Sequence, residues 1–162
     1  MKQNRVVITG CGTINPLGKN VYETFENMCK GKCCIKTINN ENNKKFLGAK
    51  VNDYNPEDYF SPKELILYDK FLQFSLIATE EAIKSSNISL SKIASDTCGI
   101  FFGACNGGEE SRETAFKNLY IENEHKISPL TIFKIMQNSI TSQISIKYNI
   151  TGPSSIVSNA CS

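Results

Sequence analysis

Two short apolar runs, each ended by a glycine, constrain the fold of this chain most. Residues 6–9 read VVIT before Gly10, and residues 97–102 read TCGIFF before Gly103. Runs of this length, rich in β-branched and aromatic residues, predict buried strands. Because each run is followed by turn residues and then by a helical pattern, the order of elements predicts an α/β layered fold with a largely parallel sheet.

Helix signals follow both runs. Asn20 can cap a helix over residues 21–28. The tetrapeptide at residues 61–64, SPKE, combines an N-cap serine, a proline in the first turn and a capping-box glutamate. It predicts one long helix over residues 63–85, and the side chains spaced to face a core are Leu67, Phe71, Phe74, Ala78, Ala82 and Ile83.

The remaining segments are weaker in pattern. Residues 31–58 are rich in Asn and Lys and predict a surface excursion with one short strand near residues 46–51. Helices are predicted over residues 109–120 and 131–148. No linker divides the chain, so residues 1–162 are expected to form part of one domain.

Composition narrows the classes of function. The formal net charge is +2, without a basic helix face that carries aromatics, so nucleic acid is not expected as a partner. The sequence contains no apolar stretch approaching the ~18 residues of a membrane span and no signal-peptide core, and we therefore expect no membrane association and a cytoplasmic protein.

The seven cysteines are an odd number, which argues against a disulfide framework. Cys11, Cys98 and Cys105 lie in apolar or Gly-rich settings and are expected to be buried free thiols. Three others, Cys29, Cys33 and Cys34, have no second pair or nearby histidine. No metal site is therefore predicted.

Two further motifs have ordinary explanations. Gly10 and Gly12 follow a predicted strand, but position 15 is Asn where a dinucleotide fingerprint has its third glycine, so a tight turn is the preferred interpretation. His125, the only histidine, lies in a polar stretch and is expected to face solvent. It is therefore not predicted to act as a general base.

Cys161 is the candidate nucleophile. It follows a Gly-Pro turn and a short β-like run, and its neighbours Ser158, Ala160 and Ser162 are small enough to let a substrate approach. Most cysteines are inert and buried, and the local sequence leaves the two interpretations evenly balanced. A general base for this thiol is not visible in the chain.

Five segments, taken in order, resemble the N-terminal portion of β-ketoacyl-acyl carrier protein synthases, the condensing enzymes of fatty-acid and polyketide synthesis. They are RVVITGCG with NPLG at residues 5–18, DKFLQ at 69–73, GACNGG at 103–108, KISP at 126–129, and GPSSIVSNACS at 152–162. The resemblance implies a thiolase-like layered αβαβα fold, of which this chain is the N-terminal half. It also implies an acyltransferase that works by decarboxylative Claisen condensation in type II polyketide or fatty-acid synthesis.

The same resemblance assigns roles to individual residues. Cys161 matches the acyl-accepting cysteine, and substrates would arrive on the phosphopantetheine arm of acyl carrier protein, with no other cofactor. Asn106, at a gating position that is often apolar, and the short Thr131 would leave a longer acyl tunnel, which favours polyketide over fatty-acid synthesis. The full set of implied substrate-binding residues is Cys105, Asn106, Gly107, Gly108, Thr131 and Met136.

The long helix of the family usually shows Arg or Lys to the acidic carrier protein, whereas this chain has four consecutive large side chains at residues 65–68. They cannot all face one core, so some are expected to be exposed or to contact a partner, or alternatively to lie under a loop that folds back. The resemblance implies a carrier-binding surface that is more apolar than usual. Its members are Lys63, Ile66, Leu67, His125 and Lys126.

The resemblance further implies that two histidines which assist decarboxylation lie in a second half of the fold. Without them this chain alone is expected to be inactive, and it would work as a homodimer or as a heterodimer with a second ketosynthase-like subunit. Two alternatives remain: a non-catalytic chain-length-factor-like partner and a thiolase-type coenzyme A condensing enzyme. The starter unit and the chain length are not determined by the sequence.

Overall fold

A computed structural model describes residues 5–39, 44–123 and 126–159. The chain forms two compact units. The first takes in residues up to Asn55 together with Ile77–Ile88, and the second takes in Pro56–Leu76 together with residues from Ser89 onward. No linker separates the two units, because the helix Lys70–Ser86 belongs to both. Its residues up to Leu76 are part of the second unit, and those from Ile77 onward are part of the first.

The first unit contains helix α1 (Val21–Cys29) and an antiparallel pair of strands, β1 (Lys36–Asn39) and β2 (Lys45–Gly48). The side chain of Asn20 accepts a hydrogen bond from the Glu23 N–H, so the predicted cap of α1 is confirmed. Within residues 31–58, one strand was expected and two are present. The strand near residue 46 begins one residue earlier than predicted, and β1 was missed because its sequence, KTIN, is mostly polar.

The predicted strand over residues 6–9 is not formed, and this expectation was wrong. Val6, Val7 and Ile8 are 95%, 62% and 88% exposed. A β-branched run becomes a strand only where another strand pairs with it, and none does so in the described part of the chain. Cys11 is exposed as well, which corrects the expectation of a buried thiol.

The segment after Gly10 is tied instead to helix α3 (Lys70–Ser86), within the part of α3 that belongs to the first unit. The Glu81 carboxylate accepts hydrogen bonds from the N–H groups of Thr13 and Val21, both at 2.8 Å. A Cβ at Gly12 would meet the Ala78 carbonyl oxygen at 1.9 Å. The two glycines of this segment therefore allow a close approach to a helix, which explains their spacing better than a tight turn.

The second unit contains the buried apolar side chains of the described residues. Helices α2 (Pro62–Leu67), α4 (Glu109–Tyr120), α5 (Thr131–Ile135) and α6 (Ser139–Tyr148) accompany two parallel strands, β3 (Ile100–Gly103) and β4 (Ser154–Val157). The predicted parallel pairing is thus present for these two strands. The core side chains are Phe60, Leu72, Leu76, Ile100, Ile140, Ile144 and Ile150.

The single helix predicted over residues 63–85 is two helices, α2 and α3. Tyr68 is extended, with φ −102° and ψ 117°, and it ends α2. The Asp69 side chain then accepts a hydrogen bond from the Phe71 N–H at 3.2 Å and so starts α3. An aspartate competes with helical backbone bonds and favours a cap, which is why the helix breaks here.

The helix predicted over residues 131–148 is also divided. Met136 is extended, with φ −73° and ψ 126°, and it ends α5. Helix α6 begins three residues later. By contrast, α4 has the limits that the sequence predicts. In the described residues, no helix is both long and apolar enough to cross a bilayer.

Candidate functional site

The candidate site is the loop that joins β3 to α4. This glycine loop, residues 104–108, begins where β3 ends, and the parallel strand β4 ends beside it. The Ala104 N–H donates to the Val157 carbonyl at 3.1 Å, so the first residue after β3 still pairs with the last residue of β4. Carboxyl ends of parallel strands are a common place for binding sites in α/β folds, because loops with free side chains meet there.

The backbone carbonyl of Cys105 connects the glycine loop to two other segments. It accepts one hydrogen bond from Gln137 Nε2 at 2.7 Å and a second from Ser158 Oγ at 3.3 Å. Gln137 lies between α5 and α6, and Ser158 directly follows β4. Three segments that are far apart in the sequence therefore meet at one carbonyl oxygen.

The two glycines of the loop are packed against the α5–α6 connection. A Cβ at Gly107 would lie 2.8 Å from the Ile135 carbonyl oxygen, and one at Gly108 would lie 2.1 Å from the Lys134 carbonyl oxygen. Gly108 also has φ +56°, a conformation that side chains rarely adopt. Glycine is thus required at residue 108 by both the backbone angle and the available space.

The predicted substrate-binding residues fall into two groups. Cys105, Asn106, Gly107 and Gly108 lie together in the glycine loop, and Met136 precedes the glutamine that holds this loop. Cys105 and Asn106 are exposed, which corrects the expectation of a buried Cys105, whereas both glycines are buried. Cys98 is half-buried. Cys161 lies outside the described residues.

Thr131 lies elsewhere in the second unit, at the first position of α5, where it lines a cavity of about 590 Å³. Lys70 in this cavity is ion-paired with Glu110 at 2.9 Å, and both side chains are more than half exposed. Other lining residues include Tyr68, Asp69, Gln73, Lys126, Ser128 and Lys134.

The predicted carrier-binding residues are only partly brought together. Lys63, Ile66 and Leu67 lie on α2, where Ile66 is 58% exposed and Leu67 38% exposed. The sequence-based expectation that some of the large residues 65–68 are exposed is confirmed. Lys126 is exposed at the cavity, and His125 lies outside the described residues.

Two pKa values near α2 are shifted. Hydrogen bonds from the Ser61 hydroxyl and the Ser61 N–H lower the pKa of Glu64, and the hydroxyl lies 2.6 Å from its carboxylate. Burial raises the pKa of Tyr68, with a further contribution from Glu64. The Tyr68 hydroxyl donates to Gln143 Oε1 at 3.0 Å. Tyr68 therefore stays neutral, and Glu64 stays ionised, over the physiological pH range.

The hydrogen bonds that Gln137, Ser158 and Asp69 make to distant segments were not predicted from the sequence. A polar residue between two short helices has no distinctive local pattern, so only the fold reveals the bond from Gln137 to the glycine loop. Asp69 did carry a signal, because an aspartate inside a predicted helix is a candidate N-cap. Within the described ranges, no cluster of three or more His, Cys, Asp or Glu side chains is arranged to hold a metal ion.

The profile of the family described as "Beta-ketoacyl synthase, N-terminal domain" matches residues 3–162. A 3-oxoacyl-[acyl-carrier-protein] synthase 2 of Staphylococcus aureus (strain COL) is 32% identical over 165 aligned positions, which cover 99% of this chain and 40% of the relative. One from Coxiella burnetii is 29% identical, again over 99% of this chain and 40% of the relative. The chain thus spans about 40% of the length of these relatives.

Solved structures show the same fold. A type II polyketide synthase acyl-carrier protein in complex with its ketosynthase matches with a TM-score of 0.80 and 23% identity, over 97% of this chain and 43% of the other. The ishigamide ketosynthase/chain length factor matches with a TM-score of 0.85 and 17% identity, over 99% of this chain and 41% of the other. The predicted α/β fold of the thiolase-like class, N-terminal half, is confirmed.

Proposed function

This chain belongs to the β-ketoacyl synthase family, and we propose that Cys161 is the acyl-accepting nucleophile of a condensing enzyme. The proposed reaction joins an acyl chain to a two-carbon unit from malonyl-acyl carrier protein. Its substrates are thioesters on the phosphopantetheine arm of the carrier, and no other cofactor is needed. The proposed setting is the cytoplasm.

The reaction has two stages. In the first, the Cys161 thiolate attacks the carbonyl of a carrier-bound thioester, the C–S bond to the carrier breaks, the carrier leaves as its thiolate, and an acyl thioester forms on Cys161. In the second, the malonyl thioester loses CO₂, and the resulting carbanion attacks the acyl-enzyme carbonyl. A carbon–carbon bond forms and the Cys161 thiolate leaves. The family resemblance implies that two histidines outside the matched residues 3–162 assist decarboxylation.

One observation carries this proposal: the glycine loop lies beside the carboxyl end of β4, and Cys161 follows β4 four positions later in the sequence. Ser158, only three positions before Cys161, donates a hydrogen bond to the Cys105 carbonyl in that loop. This contact supports an arrangement in which the nucleophile and the loop face one acyl chain. Such proximity between a nucleophile and a positioning loop is a general source of rate acceleration.

The chemistry of two residues favours a polyketide-type chain over a fully reduced fatty acyl chain. Asn106 is exposed in the glycine loop and offers an amide that can hydrogen-bond oxygen atoms along the chain. A fatty acyl chain offers this amide no partner, whereas a polyketone does. Thr131 lies apart from the glycine loop and contributes only its short side chain, which the family resemblance links to a longer acyl tunnel.

The proposed partners are acyl carrier protein and a second ketosynthase-like subunit, identical or different. One solved relative is a ketosynthase in complex with its acyl-carrier protein, and another is a ketosynthase/chain length factor. Ile66 and Leu67 are exposed on α2 and would supply apolar contacts to the carrier. Lys63 and Lys126 would supply the cationic contacts to its acidic surface.

Acyl loading tests this function directly. The protein, purified with any chain that accompanies it, is incubated with octanoyl-acyl carrier protein and analysed by intact mass spectrometry. We expect an octanoyl adduct that disappears in Cys161→Ala and persists in Cys29→Ala, a control that removes an exposed thiol from α1 rather than from the candidate site. An adduct that persists in Cys161→Ala would contradict the assignment. If the unmodified protein forms no adduct, the alternative of a non-catalytic partner is favoured over the proposed nucleophile.

A further inference from the structure

The Cys105 carbonyl is held from two sides, and this feature has no counterpart elsewhere in the glycine loop. Its two donors, Gln137 Nε2 at 2.7 Å and Ser158 Oγ at 3.3 Å, belong to separate segments of the second unit. A carbonyl oxygen has two lone pairs, so both of its acceptor positions are used. The bonds join the loop to the α5–α6 connection and to the end of β4.

Because the Cys105 carbonyl is held in place, the orientation of the next peptide N–H, that of Asn106, is also set. In a trans, planar peptide the C=O and the following N–H point in opposite directions. The N–H of Asn106 is therefore directed away from Gln137 and Ser158, and Asn106 itself is exposed. Asn106 is the residue at which this loop departs from the family pattern. The orientation of its side chain therefore depends on the two hydrogen bonds that the Cys105 carbonyl accepts.

Packing allows the loop to move in one direction only. A Cβ at Gly107 or Gly108 would overlap the backbone of Lys134, Ile135 or Gln137, so no room is left for the loop to move closer to the α5–α6 connection. It can open only by moving away from that connection. Such a movement lengthens and breaks the bond from Gln137 to the Cys105 carbonyl.

We propose that Gln137 and Ser158 form a clamp on the Cys105 carbonyl that limits how far the glycine loop opens, and thereby which acyl chains reach Cys161. The effect of the clamp on acyl selection rests on the proposed function, because it requires acyl transfer to Cys161. Gln137 and Ser158 are positioning residues, because they act through the loop. The clamp itself is a structural feature that can be measured separately.

Hydrogen exchange of the Ala104 backbone amide measures how often the clamp opens. The Ala104 N–H is bonded to the Val157 carbonyl beside the clamp, so opening of the loop exposes this amide. We expect Gln137→Met, which keeps the side-chain length and removes the donor, to raise the exchange rate of this amide about fivefold, as loss of one neutral hydrogen bond predicts. The double variant Gln137→Met/Ser158→Ala is expected to show a larger increase.

Gln143→Met is the matched control. Gln143 makes a bond of similar length, accepting from the Tyr68 hydroxyl at 3.0 Å, in the same unit and on α6. It therefore loses a comparable interaction without touching the glycine loop. Exchange of the Ala104 amide is expected to stay at the unmodified rate in this variant, which separates an effect on the clamp from general loosening of the unit.

The relative rates of acyl transfer for long and short chains measure the effect of the clamp on acyl selection. If long chains need the open loop, their relative rate follows the open population. We expect the ratio of kcat/KM for dodecanoyl- over butyryl-carrier protein to rise about fivefold in Gln137→Met, and to be unchanged in Gln143→Met. Each acyl-enzyme is quantified by mass spectrometry on Cys161.

The outcomes are distinct. Faster Ala104 exchange together with a raised ratio supports the clamp. Unchanged exchange in the double variant overturns it, and faster exchange with an unchanged ratio overturns its role in acyl selection. Absence of acyl transfer by the unmodified protein would instead overturn the proposed function, and with it the selectivity that depends on it.

Discussion

The buried carboxylate of Asp69 accepts a hydrogen bond from the backbone N–H of Ser111 at 2.9 Å, across 42 positions of sequence. Its other oxygen accepts from the Phe71 N–H at 3.2 Å. One side chain therefore serves the N-terminal turns of both α3 and α4, where a negative charge is favourable because of the helix dipoles.

Asp69→Ala is expected to lower the free energy of unfolding by about 2–3 kcal/mol, because it leaves two N–H groups near helix ends without their charged acceptor. The measurement is the midpoint of urea unfolding. Lys70→Ala is the neighbouring control, since it removes an exposed ion pair with Glu110 worth less than about 1 kcal/mol. Equal losses in the two variants would contradict the role assigned to Asp69.

Gly108→Ala and Gly31→Ala separate backbone strain from steric overlap. Both glycines have positive φ, +56° and +65°, so both substitutions carry the cost of about 1–2 kcal/mol of placing a side chain in that region. A Cβ at Gly31 meets nothing within 4 Å, whereas one at Gly108 meets the Lys134 carbonyl oxygen at 2.1 Å. We expect the thermal midpoint to fall markedly further in Gly108→Ala. Similar midpoints would show that the loop moves aside freely.

The capping box of α2 gives a prediction about pH. Hydrogen bonds from Ser61 lower the pKa of Glu64 below its ordinary value of 4.5 in the folded state. This contact therefore stabilises the fold above the ordinary pKa, and its contribution is lost as the pH falls through the lowered one. Ser61→Ala is expected to raise the pKa of Glu64 towards 4.5, measured by carbon NMR of the carboxyl, and to lower stability by about 1 kcal/mol at neutral pH.

Ser89→Ala is the control for this experiment. Ser89 occupies the same N-cap position before the 3-10 turn Leu90–Lys92, yet its side chain makes no capping hydrogen bond. Its replacement is expected to leave the pKa of Glu64 unchanged and to cost much less stability. A Glu64 pKa that does not move in Ser61→Ala would show that Ser61 is not the cause of the shift.

Ile66→Asp tests the apolar carrier surface proposed on α2. Ile66 is 58% exposed, and a negative charge there would meet the acidic carrier protein without loss of core packing. We expect the Kd for acyl carrier protein to rise about tenfold in a calorimetric titration. Ile146→Asp places the same charge at a 73% exposed isoleucine on α6 and is expected to have little effect. Equal affinity in all three proteins would remove α2 from the interface.

Local sequence determined the ends of several helices. Asn20 caps α1, the Ser61–Glu64 capping box starts α2, and α4 spans the predicted residues. These features depend on side chains within four residues of the backbone groups that they satisfy, so their outcome does not require the rest of the fold. The family, too, was identified correctly from short motifs in the right order.

The sequence-based predictions that were wrong share a different cause. Residues 6–9 have the composition of a strand, yet Val6 and Ile8 are almost fully exposed, because a strand needs a partner that composition cannot supply. Cys105 was expected to be buried from its Gly-rich setting, and it is exposed at a loop. Burial and pairing are properties of residues that are distant in sequence.

By itself, then, the sequence determined which family this chain belongs to, where α1, α2 and α4 begin, and which loop and cysteine are candidates for the chemistry. Only the tertiary structure decided that Gln137 and Ser158 meet at the Cys105 carbonyl, and that Asp69 joins α3 to α4. The physical reason is that a hydrogen bond between segments depends on the packing of both, and packing is set by the whole fold rather than by either segment.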